Sequence, residues 1–443
     1  MKKKCVFFLL LMTIMPVFAQ DGFVFDKGVD KVTVPLILIN NLVFIPIKVN
    51  GVEVNFLLDT GVEETILFSL EDNPDVNFYN SEKINLKGLG SEEAIEGLKT
   101  TNNILELDGA KSLNQLVYVI LDQSFNLSSQ IGIPVNGIIG YQFFKDNLVR
   151  VDYARRKVII YKNDSENRKK IEKKYNKVPI TIEKFKPYLK GTVAMNKSEI
   201  PVKMLIDIGN SDSVWLFQNL SDEIKVPDRN FEDFLGKGFS GDIEGKRARI
   251  TGFSFDKYFF KSPIVAFPDS SSVKSVRMVQ NRVGSVGGEI LKRFSVVFDY
   301  KNEQLYLKKN SNFNDPFTYN KSGVEIQHNG LQWVQETVKM ETVPLSGAIT
   351  FDSSGKNITN NFKYKFQLKP IYEIANIRKN SPAAISGLQV GDIIVSINKS
   401  AAYHYSLQKL NEMFKSDEDK WIYLEVERNN QILKFAFQLH DIL

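Results

Sequence analysis

The chain has 443 residues, with 57 basic against 52 acidic side chains and a formal net charge of +5, three of the lysines falling at positions 2 to 4. So even a balance leaves no electrostatic footprint for nucleic acid or an anionic membrane as partner. One cysteine, Cys5, and three late histidines, His328, His404 and His440, exclude disulfides, thiol catalysis, a Ser-His-Asp triad and a histidine zinc site from the main body; no cofactor or metal is expected there, and chemistry falls to carboxylates and hydroxyls.

Residues 1–19 read as an export signal. Lys2-Lys3-Lys4 precedes an apolar run from Val6 to Met12, too short to span a bilayer, and Pro16-Val17-Phe18-Ala19 places small residues ahead of a cleavage point before Gln20. The expected location is therefore outside the cytoplasm, in a periplasm, cell envelope or medium, with no integral membrane span after cleavage. Cys5 departs with the signal.

An internal repeat organises residues 30 to 310. Phe56-Leu57-Leu58-Asp59-Thr60-Gly61 is echoed 148 residues later by Met204-Leu205-Ile206-Asp207-Ile208-Gly209. Twenty-nine residues beyond each aspartate a second pattern begins: Gly88, Gly90 and Gly97 recur as Gly236, Gly238 and Gly245. A third block, Gly137-Ile138-Ile139-Gly140 and then Val151-Asp152-Tyr153, recurs at an offset of 147 as Gly284-Ser285-Val286-Gly287 and Phe298-Asp299-Tyr300. Three blocks in one order define a duplicated domain, with copies expected over 30–162 and 178–310. Each copy reads as β-structure. Alternating apolar residues flank Asn50-Gly51, a hairpin signal, and Val149 to Val151 with Lys157 to Tyr161 form a closing pair. The Lys- and Glu-rich stretch Asp164 to Lys177 reads as a solvated linker or exposed helix.

Asp59 and Asp207 each end an apolar strand, and a twofold relation between the copies would bring them face to face. Two carboxylates about 3 Å apart share one proton; aspartic proteases are the standard example of this behaviour. The ionised member can activate a water and the protonated one can donate to the developing oxyanion. Gly61 and Gly209 let backbone N–H groups approach the carboxylates, and the segments Gly88 to Gly97 and Gly236 to Gly245 suit mobile hairpins over a cleft. On these motifs the region resembles the aspartic peptidases, in the bacterial form that fuses two retropepsin-like domains. That resemblance implies a mainly β fold with two β-barrel lobes, a cleft between them for a polypeptide substrate, a catalytic pair Asp59 and Asp207 supported by Thr60, Gly61, Ile208 and Gly209, and apolar-Gly braces at Ile138-Ile139-Gly140 and Ser285-Val286-Gly287. Ile208 stands where the family has Thr, and Val62 and Asn210 replace its Ala or Ser. One chain completes the pair, so a monomer is expected to suffice for catalysis.

Residues 316–443 change pattern. Asn380-Ser381-Pro382-Ala383-Ala384, Gly387-Leu388, Val390-Gly391-Asp392-Ile393-Ile394 and Ile397-Asn398 strongly resemble a bacterial PDZ domain, an α+β module that takes an extended peptide as an added strand. Ser381 and Pro382 suit a helix start and Gly387 its end. The groove is expected between the strand carrying Tyr372, Ile374 and Ile377 and an amphipathic helix from Ser406 to Phe414 that includes Leu407. Two functions are expected from these features: an endopeptidase with a PDZ module, or a peptide-binding protein whose altered second motif has lost hydrolysis.

Overall fold

The computed structural model describes residues 22–68, 76–87, 94–122, 126–195, 198–238, 241–273, 278–339 and 362–443. The expected export signal, residues 1–19, and the flap glycines Gly88 and Gly90 lie outside these residues.

The chain is mainly β. In the first copy, Leu42–Val49 and Val52–Leu58 pair antiparallel about the Asn50-Gly51 turn, whose two residues both take positive φ. Alternation places Ile45, Ile47, Val54, Phe56 and Leu58 in the core. Val52–Leu58 then runs parallel to Gly137–Ile139, which is antiparallel to Thr65–Leu67 on its other side. The second copy repeats this unit: Ser198–Ile206 lies parallel to Arg282–Val286, with Val214–Leu216 antiparallel beyond.

Each copy forms one large sheet, nine-stranded and ten-stranded respectively, where the resemblance implied a barrel. In the first, successive pairings through Ala110–Ile120 and Ala94–Leu107 return to Leu42–Val49. In the second, the strand corresponding to Ala94–Leu107 is broken into Gly241–Arg249 and Gly252–Phe255, and the course of pairing is interrupted there.

A six-stranded sheet joins the copies. At its centre Leu148–Asp152 pairs antiparallel with Phe294–Asp299, in the register Val149↔Phe298, Arg150↔Val297, Val151↔Val296. The 147-residue repeat offset maps the first of these pairs onto the third and the middle pair onto itself, so a pseudo-twofold axis passes through Arg150 and Val297. Val149, Val151, Val296, Val297 and Phe298 are fully buried, and Phe144, Phe298 and Tyr300 pack around one another behind the junction. Between the copies, helix Ser165–Glu172 is capped by Asp164, whose side chain accepts from the Asn167 N–H, and it buries Ile171. It is an exposed helix, as its composition predicts.

The C-terminal domain has its own core and a sheet ordered Val324–Lys339, Phe362–Ile377, Ile393–Ile397, Trp421–Arg428, Gln431–Gln438. Helix Pro382–Ser386 starts at Ser381, whose side chain accepts from the Ala384 N–H, and stops at Gly387 with φ 93°. Helix Leu407–Phe414 starts at Ser406 and buries Leu407, Leu410 and Phe414 along one face. Each of those apolar side chains contributes about 1.5–3 kcal/mol by leaving water.

Candidate active site

The parallel strands deliver both aspartates to the same point. Asp59 N–H donates to Ile139 O (3.0 Å) and Asp207 N–H to Val286 O (2.9 Å), so the second residue of each expected brace holds its loop. Gly61 N–H donates to Asp59 Oδ1 (2.7 Å) and Gly209 N–H to Asp207 Oδ1 (3.1 Å). The turns continue in parallel fashion, with Val62 N–H on Asp59 O and Asn210 N–H on Asp207 O.

The two carboxyl groups converge on one point: a Cβ on Gly61 would lie 3.0 Å from Asp59 Oδ1 and 3.1 Å from Asp207 Oδ1. Gly209 packs so closely on Asp59 that a Cβ there would overlap its carboxyl group. Asp59 is pushed up to about 8, first by burial and then by the charge of Asp207. Asp207 is also raised by burial, but Arg282 and Lys186 oppose the rise. Two facing carboxyl groups that are both raised share a proton at a pH where isolated carboxylates are ionised.

Thr60 spans the lobes. Its hydroxyl donates to Ile206 O (2.6 Å) and accepts from the Ile208 N–H (3.1 Å). Ile208 has no hydroxyl to return these bonds; its side chain is fully buried in the core instead. Asn210 binds Ser285 Oγ and accepts from the Asp212 N–H.

The flap expectation divides. Gly236, with φ 138° at a register shift, and Gly238 lie in the hairpin Asn230–Gly238/Gly241–Arg249, and both line the cleft. Gly97 and Gly245 are not at hairpin tips. Gly97 pairs with Ile84 and Ile120, and Gly245 sits between Asp233 and Pro268 in mid-strand, where a Cβ would strike Phe267 O. Close strand packing therefore requires glycine at position 245.

Around the dyad runs a charge chain that isolated residues of the sequence do not announce. Asp212 accepts from Trp215 Nε1 and pairs with Arg247, which also pairs with Asp233. Asp233 lies 3.7 Å from Arg378 of the C-terminal domain. Arg378 in turn stacks on Phe231 and donates to Asn320 O and Lys321 O.

The expected peptide groove is displaced by one strand. Tyr372 and Ile374 are buried core residues with Leu407 beneath the helix, and Ile377 packs against the same core. Their strand is interior to the sheet. The strand beside helix Leu407–Phe414 is Val324–Lys339, at the sheet edge. Its hydrophobic pairing with Phe362–Ile377 closes across a long sequence separation, which local pattern cannot register.

Among the described residues, no helix is long and apolar enough to cross a membrane, and no group of three or more His, Cys, Asp or Glu could hold a metal. No curated protein matches the chain. The PDZ domain family model matches residues 373–428, beginning inside the second strand of the C-terminal sheet. The chain therefore carries a PDZ domain at its C-terminus, a module for peptide or protein interaction.

Proposed function

We propose that this chain is an exported aspartic-type endopeptidase, hydrolysing polypeptides with Asp59, Asp207 and a water, beside a PDZ domain that binds peptide. The observation that carries the reading is the pair of half-buried carboxyl groups that twofold-related loops bring to one point in the cleft. Asp59 holds the shared proton and donates it to the carbonyl oxygen as the bond is attacked. Asp207, its charge favoured by Arg282 and Lys186, takes a proton from the attacking water. Retropepsin-like lobes fit the strand–loop–brace unit that occurs twice. The pair is complete in one chain.

A second reading, peptide binding without hydrolysis, is favoured by one observation: Ile208 leaves the cross-lobe bonding to Thr60 alone. Incubating the mature protein with a diverse peptide mixture from pH 3 to 8, beside Asp59→Asn and Asp207→Asn variants, separates the two. Cleavage lost in both variants is expected. Cleavage that survives in either one shows that the substituted carboxyl group is dispensable and removes the dyad, while no cleavage by the parent at any pH favours binding.

A further inference from the structure

The groove that a PDZ domain would offer to a peptide is filled here from within the chain. PDZ domains take an extended peptide as a strand added to the sheet edge. In this chain that edge is Val324–Lys339, beside helix Leu407–Phe414, and helix Ser128–Ile131 of the first lobe packs on it. Gly132 follows in a left-handed turn, φ 82° and ψ 13°, and closes on the start of the PDZ helix. A Cβ there would stand 3.0 Å from Leu407 Cβ and 3.4 Å from His328 Nε2. That contact has no space for a peptide strand, which needs about 4.8 Å to its neighbour.

The occupant belongs to the loop that leads into the brace of Asp59. Ser128 Oγ accepts from the Val135 N–H (2.9 Å), and the Ser128 N–H donates to Asn126 Oδ1 (2.7 Å). Leu127, Ile131 and Ile133 pack on the cluster that contains Val62, Val135 and Ile138. The helix closes its own turn, with Ile131 N–H on Leu127 O and Gly132 N–H on Ser128 O. It covers the groove by packing, and among the described residues no strand pairs with the outer edge of Val324–Lys339. A peptide could use that edge once the helix has moved away. The docked PDZ domain is also a wall of the dyad's cleft. The cavity of about 670 Å³ that reaches Asp59 and Asp207 is bounded by Ile131 on the first lobe and by Ile326, Gln327 and Asn411 on the PDZ domain.

We infer that segment 127–132 is a built-in occupant of the PDZ groove: peptide binding and docking exclude one another, and a peptide that takes the groove lifts the PDZ wall from the dyad's cleft. The inference rests on the PDZ domain binding peptide, and not on hydrolysis at the dyad. Only the undocked fraction of the chain can bind, so the apparent affinity is lowered by that fraction. Weakening the docking at any point should therefore tighten peptide binding, with no new contact to the peptide.

Two variants open the groove by different routes, both in the full-length Asp59→Asn chain so that peptide is not consumed. Gly132→Asn keeps a residue that tolerates the left-handed turn but sets a side chain into the contact with Leu407. Asp233→Asn, in the second lobe, removes the charge that faces Arg378 at 3.7 Å and changes no residue of the groove. Peptides selected from a random library on the Gly132→Asn chain are titrated against both variants and the Asp59→Asn parent by fluorescence anisotropy. Both variants should bind at least about tenfold more tightly than the parent. Hydrogen exchange locates the effect: peptide should protect residues 324–330 and, in the parent, release residues 127–132. Equal affinity of parent and variants, or binding to the parent without release of 127–132, would overturn the mutual exclusion. If no peptide is selected at all, the peptide-binding reading of the PDZ domain falls, and this inference with it.

Discussion

Asp59 is held above the usual carboxylate range, and the direction is fixed by what surrounds it. Burial and the Asp207 charge raise it from an ordinary 3.8 to about 8. Between those values the folded chain keeps a proton that the unfolded chain releases, so stability falls as pH rises through this window. Asp59→Asn should therefore melt at the same temperature as the parent below pH about 4, and roughly 2–4 °C above it at pH 8, by calorimetry across pH. The same proton sets an alkaline limb near pH 8 on the proposed cleavage. Thr60 offers a different test at this scale. Thr60→Val keeps the shape but strands the buried Ile206 carbonyl and Ile208 N–H, costing about 2–4 kcal/mol in denaturant unfolding. A change under about 0.5 kcal/mol would show that the cross-lobe bond does not hold the loops. The Thr60 role is legible in sequence because an Asp-Thr-Gly loop uses its own hydroxyl; that Ile208 would turn into the core follows only from what lies behind it.

At the scale of elements, the loops are placed by strands that fit no side chain between them. Gly284 lies where a Cβ would overlap Trp215 O and crowd Met204, so Gly284→Ala should force apart the strands that brace Asp207. The expected loss is about 1–3 kcal/mol of stability, with cleavage falling more steeply than stability because Asp207 shifts with its strand. Retained activity at normal stability would refute the brace. Its recurrence at a fixed offset made this glycine visible in sequence. The PDZ groove shows the opposite case. The helix start at Ser381-Pro382 and the stop at Gly387 are local chemistry and were legible. The edge strand was not, because Val324–Lys339 acquires its place by pairing with residues 362–377.

At the scale of the whole molecule, the PDZ domain is held against the duplicated β-body partly through Arg378. Its side chain is only 4 % exposed, and it joins Asp233, Phe231 and the Asn320–Lys321 carbonyls. Arg378→Ala should cost about 3–5 kcal/mol by leaving those acceptors without their cation, and should split thermal unfolding into two transitions as the domains uncouple. Limited proteolysis should then release the C-terminal domain. A single transition with unchanged proteolysis would show that the docking does not depend on this arginine. Nearby, Glu325 is raised to about 7 by burial and then by Asp233, so this junction also loses stability as pH rises from about 4.5 to 7.

The sequence by itself determined the duplication, the strand that precedes each aspartate, the glycine-bearing braces and the local caps of the PDZ domain. Each of these is written in contiguous residues or in a constant offset, and each follows from backbone geometry within a few positions. Tertiary structure alone decided that the Arg150–Val297 pair lies on the twofold axis, that Arg247, Asp233 and Arg378 form one charge chain, and that the first lobe's Ser128–Ile131 helix packs on the PDZ edge strand, with Gly132 against Leu407 and His328. Those features depend on side chains brought together across as many as 200 or more residues, and lone charges in a sequence carry no mark of the partner that folding will give them.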